Sequence, residues 1–399
     1  MIKSSPMKNS SSLSDTDLCV MCGMCIPHCP TYQLYQTEAE SPRGRITLIQ
    51  SIASRQLSPN RKVLQHIDHC LGCLNCQTIC PSQVPFGKII DEFRTLYNSS
   101  IAKPLSSQFI LKQSKKKNGL ERFRTTLNFP VLRKLAQPLM KLANIPVIPP
   151  AHKSKGLLST YKTPISPSRG SIHLFTGCIG KLTDTQTILD ASFLLNKLGY
   201  DVNISKDQLC CGATHLHNGQ KDEAHQLQLK NHAAFDALDS IAVLFFSPAC
   251  GALLESTNNS LIQDARSFIF EALEEQGTAF TPLASPVALH ESCAHRNIST
   301  DKRLNTKLLN LIPNLNIIES DQPTLCCGAG GLQNINYPSQ ASSLLNRKMT
   351  SFDLSQADII LSDNIGCSLH ISTSLSAYNK RIHVMHPLSL LARQWPHDD

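Results

Sequence analysis

One cysteine pattern occurs twice near the N-terminus and leaves little freedom in what that stretch can be. It reads Cys19-x2-Cys22-x2-Cys25-x3-Cys29-Pro30, and again Cys70-x2-Cys73-x2-Cys76-x3-Cys80-Pro81. Three thiols two residues apart can wrap one turn of chain around three corners of a 4Fe–4S cubane. The fourth, just beyond, points away to a neighbouring cluster. The pattern therefore implies two clusters with crossed ligation. Cys19, Cys22, Cys25 and Cys80 hold the first, and Cys70, Cys73, Cys76 and Cys29 hold the second. Structural zinc, the other common use of CxxC pairs, takes four ligands in a closed tetrahedron. A third cysteine step and a Cys-Pro ending, both repeated, do not suit it. Two linked clusters make a path for electrons.

The 399 residues can form two or three domains with proper cores. Sixteen cysteines would suit a secreted disulfide scaffold, but the chain is too long for that class. Residues 1–14 are polar and serine-rich and read as a frayed tail without the apolar run of a signal peptide. No stretch approaches the ~18 apolar residues that span a bilayer, and the run 241–246 reads as a buried strand. The expectation is a cytoplasmic protein, soluble or peripheral on the inner face of the membrane.

The net charge of +8 is unevenly placed. Residues 1–100 carry 9 Lys/Arg against 7 Asp/Glu, residues 101–170 carry 14 against 1, and residues 171–399 carry 15 against 22. The middle segment also holds eight prolines and reads as a basic linker between folded regions. Within it Leu120, Phe123, Leu127, Val131, Leu135, Leu139 and Leu142 recur at helical spacing among Arg122, Arg124, Arg133, Lys134 and Lys141. Such a basic amphipathic segment, over 120–143, suits either a membrane surface or a docking helix. No recognised motif accompanies the charge, so nucleic acid is not an expected partner.

The last 230 or so residues repeat themselves. Cys178, Cys210-Cys211-Gly212 and Cys250 recur as Cys293, Cys326-Cys327-Gly328 and Cys367, at offsets of 115, 116 and 117 residues. Strands at 172–176, 243–246, 287–290 and 359–361 lead towards cysteines, with helices such as 186–198 and 339–352 between them. This alternation argues for parallel α/β layers, in which ligands gather at the carboxyl ends of strands. Around the first motifs, by contrast, helical patterns follow Pro42, cover 62–70 and cover 89–97, so the N-terminal domain should be an α-helical ferredoxin. The expected architecture is α+β and multidomain: a ferredoxin domain over 1–100, the linker over 101–170, and two modules over 171–285 and 286–399.

The repeated Cys…Cys-Cys-Gly…Cys unit resembles the CCG cysteine-rich domain of heterodisulfide reductases and of flavin-dehydrogenase iron–sulfur subunits. Over essentially its full length the chain resembles the iron–sulfur subunit of glycolate oxidase (glycolate dehydrogenase). The segments Cys22-Gly23-Met24-Cys25, Cys29-Pro30-Thr31-Tyr32-Gln33-Leu34, Pro42-Arg43-Gly44-Arg45-Ile46 and Asn364-Ile365-Gly366-Cys367 carry that likeness. Heterodisulfide reductases supply a fifth cysteine per module, where this chain has Leu253 and His370. His370 is weighed as a ligand and read instead as a satisfied helix side chain. The second module opens His290-Glu291-Ser292-Cys293-Ala294-His295, where relatives more often have His-Asp-Pro-Cys-His. Cys178, Cys210, Cys211 and Cys250, and Cys293, Cys326, Cys327 and Cys367, are candidate ligands of a further iron–sulfur cluster or of zinc.

The resemblance implies an oxidoreductase subunit that passes electrons from a partner FAD subunit, which oxidises glycolate or D-lactate, to a membrane quinone or other acceptor. The chain has no dinucleotide fingerprint, P-loop or nucleophile elbow, so no catalytic residue for substrate oxidation is assigned to it. Two other readings remain. One is a heterodisulfide-reductase-like enzyme that reduces a disulfide or quinone at its CCG modules. The other is a structural protein whose clusters are redox-inert.

Overall fold

A computed structural model describes residues 13–122, 157–237, 239–257, 259–375 and 382–396. Most of the 120–143 segment therefore lies outside the described residues. Up to Ile101 the described chain is helical and contains no strand. Pro30 begins the helix Pro30–Tyr35 at its first position, where a missing N–H costs nothing. Ser41 caps the helix Pro42–Ala53 by accepting from the Gly44 N–H, and Asn60 caps Arg61–Asp68 by accepting from Val63. Ile46, Ile49, Leu64, Ile67, Ile89 and Phe93 close a core that also contains Cys70 and Cys76.

The rest of the described chain contains two sheets. The first runs in the order β1-β3-β2-β4-β5, comprising β1 Thr160–Tyr161, β2 Ser171–Phe175, β3 Asp201–Asn203, β4 Ala242–Phe245 and β5 Ile262–Asp264. Only the β1–β3 pair is antiparallel. The second runs β7-β6-β8-β9, wholly parallel, comprising β6 Val287–His290, β7 Ile317–Ile318, β8 Ile359–Ser362 and β9 His383–Met385. All four residues of β4 and of β6 are buried, as parallel strands covered on both faces should be. One hydrophobic core spans both sheets, from Ile172, Leu194 and Leu244 to Leu289, Leu361, Leu391 and Trp395. The two units are thus fused through apolar contact.

The segment read as linker contributes folded elements. Its β1 edges the first sheet, and the helix Leu105–Ser114 packs Leu111 on Leu332 and Ile335 of the second module. Three of its neighbouring charges are paired with the first module: Lys115 with Glu223, Lys117 with Asp207, and Glu121 with Lys181. Among the described residues, no helix is long and apolar enough to cross a membrane.

Candidate metal centres

All sixteen cysteines are free thiols. Cys19, Cys22, Cys25 and Cys80 line one pocket at the surface. Arg43 closes it by donating to the Met21 carbonyl (3.0 Å) and to Glu38 (2.7 Å). Cys29 leaves this loop and joins Cys70, Cys73 and Cys76 around a separate cavity of about 280 Å³. The crossover follows from the chain path: Cys29 precedes the helix that Pro30 starts, and its Sγ lies 3.5 Å from the Glu40 carbonyl and 3.8 Å from Arg45 Nη1. Burial pushes the Cys73 and Cys76 thiols well above the usual thiol range. Four sulfurs around one cavity, with a guanidinium beside one of them, fit an anionic thiolate-ligated cluster.

A buried polar network braces this second site. Glu40 accepts from Arg45 Nη2 at 2.7 Å and meets His66 Nδ1 and His69 Nδ1 at 2.7 and 2.8 Å. Burial opposes ionisation of Glu40, but the His69 contact and the Arg45 charge prevail and hold its carboxyl below the usual range. Arg45 also donates from Nε to the His66 carbonyl at 2.7 Å.

In each module the four cysteines converge where parallel strands end. Cys210 touches Cys178 and Cys211, and Cys211 touches Cys250. In the second module Cys293 touches Cys326, Cys326 touches Cys327, and the Cys327 and Cys367 sulfurs are 3.1 Å apart. The glycine after each cysteine pair sits at positive φ, 96° for Gly212 and 82° for Gly328. A Cβ there would lie 2.9 Å from the Ala224 carbonyl oxygen or 2.6 Å from that of Ala341. Only glycine lets the loop press its two thiols so close to the next helix. Leu253 packs as an apolar side chain beneath the first site. His370 Nε2 faces the Ala341 carbonyl at 3.4 Å, so the structure does not place it among the thiols.

Sequence reasoning missed His290. It ends β6, is 1% exposed, and can bring a ring nitrogen together with the Cys327 and Cys367 sulfurs within 4.8 Å of one another. Burial pushes its pKa down to about 3, with Lys348 adding to the effect, so the imidazole is neutral. Lys348 is itself buried, and burial lowers its amine to about 8 against the opposing pull of Cys327 and Cys326. The available signal was the repeat itself: at the same offset as Cys178 and Cys293, His290 stands where the first module has Phe175.

The second ferredoxin site and the second module are in direct contact. Cys73 and Cys293 pack with Leu71, Cys326 and Leu344 in one apolar cluster. Asn297 donates to the Cys73 carbonyl at 2.6 Å, and Asn75 donates to the Thr324 carbonyl at 2.9 Å. Gln333, Tyr337 and Gln340 bond to Asp68 and His69. The helix Pro248–Leu254, which carries Cys250, packs on the helix Cys293–Ile298. The buried ferredoxin site thus lies against thiols of the second module, and the helix carrying Cys250 of the first module lies against the helix that opens with Cys293.

Residues 15–84 match the 4Fe-4S dicluster domain family, and residues 172–255 and 287–372 each match the CCG cysteine-rich domain family. The chain is 27% identical to the probable glycolate oxidase iron-sulfur subunit of Bacillus subtilis, over 94% of this chain and 92% of that one. It is 27% identical to the glycolate oxidase iron-sulfur subunit of Escherichia coli, over 89% of each. It is also similar to lactate utilization protein A 2 of Bacillus cereus, 20% identical over 56% of this chain and 98% of that one.

Proposed function

We propose that this member of the glycolate oxidase iron–sulfur subunit family is the electron-transfer subunit of a 2-hydroxy-acid dehydrogenase. Its partner would be an FAD-containing subunit that oxidises glycolate or D-lactate, and the final acceptor a membrane quinone. Cys19, Cys22, Cys25 and Cys80 would hold one 4Fe–4S cluster; Cys29, Cys70, Cys73 and Cys76 would hold the other. The four thiols of each CCG module would hold further metal. Such clusters take up and release one electron at a time.

The observation that carries the reading is the packing of Cys73 against Cys293 and Cys326. A redox-inert scaffold has no need to set one thiol group against the next. The protein's own contribution is to fix that order. Asn75, Asn297, Arg296 and Tyr337 lock the second ferredoxin loop onto the second module, while Leu71 and Leu344 pack as the buried apolar side of the contact. At the other end Cys22, Val20 and Met24 are exposed, giving a partner direct approach to the first site.

Anaerobically purified protein should contain at least about eight irons per chain, four per ferredoxin cluster. It should oxidise no glycolate or D-lactate with an artificial dye until the FAD subunit is added. Zinc with little iron would defeat the cluster assignment. Substrate oxidation by this chain alone would favour an independent enzyme.

A further inference from the structure

The two modules share a fold and a cysteine pattern, yet the ground beneath their thiols differs. In the first, Phe175 at the end of β2 pairs in register with Phe245 at the end of β4. Both rings pack with Phe235 and Cys211, and a Cβ on Gly251 would lie 2.2 Å from the Phe245 ring. That floor is aromatic and filled. In the second, the same register pairs His290 with Ser362. His290 is 1% exposed and Ser362 fully buried, and among the described residues Nδ1 and Nε2 of His290 and Oγ of Ser362 have no hydrogen-bond partner. Buried polar atoms left in that state cost roughly 1–3 kcal/mol each. Two orphaned ring nitrogens beside thiols therefore call for a ligand. Of the aromatic trio only one member persists: Phe235 corresponds to Phe352, 117 residues on, as Cys250 does to Cys367.

We propose that His290 is a nitrogen ligand of a thiophilic metal centre in the second module, acting with Cys327 and Cys367, and that the first module can offer thiolates alone. Imidazole and thiolate together suit zinc and the iron of iron–sulfur centres. His290 thereby supplies a donor that neither Leu253 nor His370 provides. Lys348, at the position of Asn231 in the first module, stands near the same thiols and balances part of their charge. The inference rests on reading the second module as a metal site, and the experiment separates the two.

Metal per chain would be measured on the full protein, purified anaerobically, against a Cys326→Ser/Cys327→Ser baseline that removes this centre. Wild type should exceed the baseline. His290→Phe, which copies the first module's own residue, should fall towards the baseline or lose metal to a chelator at least tenfold more readily. His290→Cys should retain it. On wild type, nitrogen should be seen directly: a 14N coupling in pulsed EPR that changes on 15N-histidine labelling if the metal is iron, or a nitrogen shell at about 2.0 Å in zinc X-ray absorption. Fluorescence of Trp395, in the core shared by both modules, reports whether each variant is folded. A wild type at baseline overturns the metal reading of the module and the His290 proposal with it. Metal above baseline without a nitrogen signal, or equally retained in His290→Phe, overturns the His290 proposal alone.

Discussion

Replacing Arg266 by Met should loosen the second module's thiol site, although Arg266 belongs to the first module. Arg266 is fully buried at the start of the helix Ala265–Gln276. Its Nη1 donates to Asp363 Oδ2 and to Asn305 Oδ1, both at 2.7 Å, while Nε and Nη2 grip Asp264 at 3.0 and 2.6 Å. Asp363, also fully buried, follows β8 and accepts from the Ser292 N–H at 3.1 Å. Ser292 caps the helix that begins at Cys293, and Asp363 lies four residues before Cys367. Arg266→Met leaves a buried carboxylate with two neutral donors, a change worth about 3–5 kcal/mol. Asp363→Asn should cost less, about 1–3 kcal/mol, because Arg266 keeps both bonds to Asp264. Trp395, the chain's single Trp, packs edge-on to Phe193 and Phe280 and reports this core. With an m-value of about 3 kcal/mol/M, the urea midpoint for Arg266→Met should drop by roughly 1–1.7 M. Against the cost of burial, Arg266 holds the Asp363 carboxyl well below the usual range. Its stabilising contribution is therefore complete above about pH 4 and is lost as the pH falls further. Acid unfolding of Arg266→Met should begin at higher pH than that of wild type. A midpoint moved by less than about 0.3 M, or Asp363→Asn more damaging than Arg266→Met, would refute this account of the pair.

Cys29→Ser should damage the cluster assigned to Cys70, Cys73 and Cys76; loss of the other cluster's EPR signal instead would reverse the pairing. Gly328→Ala should destabilise by about 1–3 kcal/mol and more than Gly212→Ala, because its Cβ would meet a closer carbonyl; equal or inverted midpoint shifts would contradict this. His217 and Asp91 join the first module to the ferredoxin domain at 3.1 Å. The Asp91 charge raises the His217 pKa, and His217 prevails over burial to lower that of Asp91. The pair should thus stabilise docking above the ordinary Asp range and weaken as the pH rises through the His217 pKa. Hydrogen exchange in Ala213–His217, corrected for intrinsic rate, should show less protection at pH 8.5 than at 5.5, and a His217→Gln variant should lose that difference.

What the sequence made legible was local or periodic. The doubled cysteine run and the 115-to-117-residue repeat carried the domain order, and β4 and β6 were readable because wholly buried parallel strands are short and apolar. Less legible were contacts between distant segments. Asn75 meeting Arg296, Asn297 and Thr324 has no signature in spacing, and neither has Arg266 reaching Asp363. The basic composition of 101–170 suggested a linker, but the helix Leu105–Ser114 owes its place to Leu111 and to a Ser107–Asn336 hydrogen bond that composition cannot reveal. His370 drew attention because it stands where relatives have cysteine, yet helix geometry turns it to a backbone carbonyl.

Duplication explains why the two modules can share a core, and divergence separates the ground beneath their thiols. Two copies of one α/β unit can share a core, and here Leu194 and Leu244 of one join Leu361 and Leu391 of the other. That fusion brings the helices carrying Cys250 and Cys293 together without any feature specific to electron transfer. The ferredoxin domain breaks the symmetry. It sets Cys73 against Cys293 and Cys326, whereas it meets the first module through Arg94, Asp91 and His217. Two differences between the modules, His290 for Phe175 and Ser362 for Phe245, put polar groups beneath the site that the ferredoxin domain touches, and a third puts the Lys348 amine where the first module has the Asn231 amide. Had both modules been structural duplicates, nothing would have kept the aromatic floor from persisting in both. The polar floor thus belongs to the module whose thiols meet Cys73, and the aromatic floor to the other.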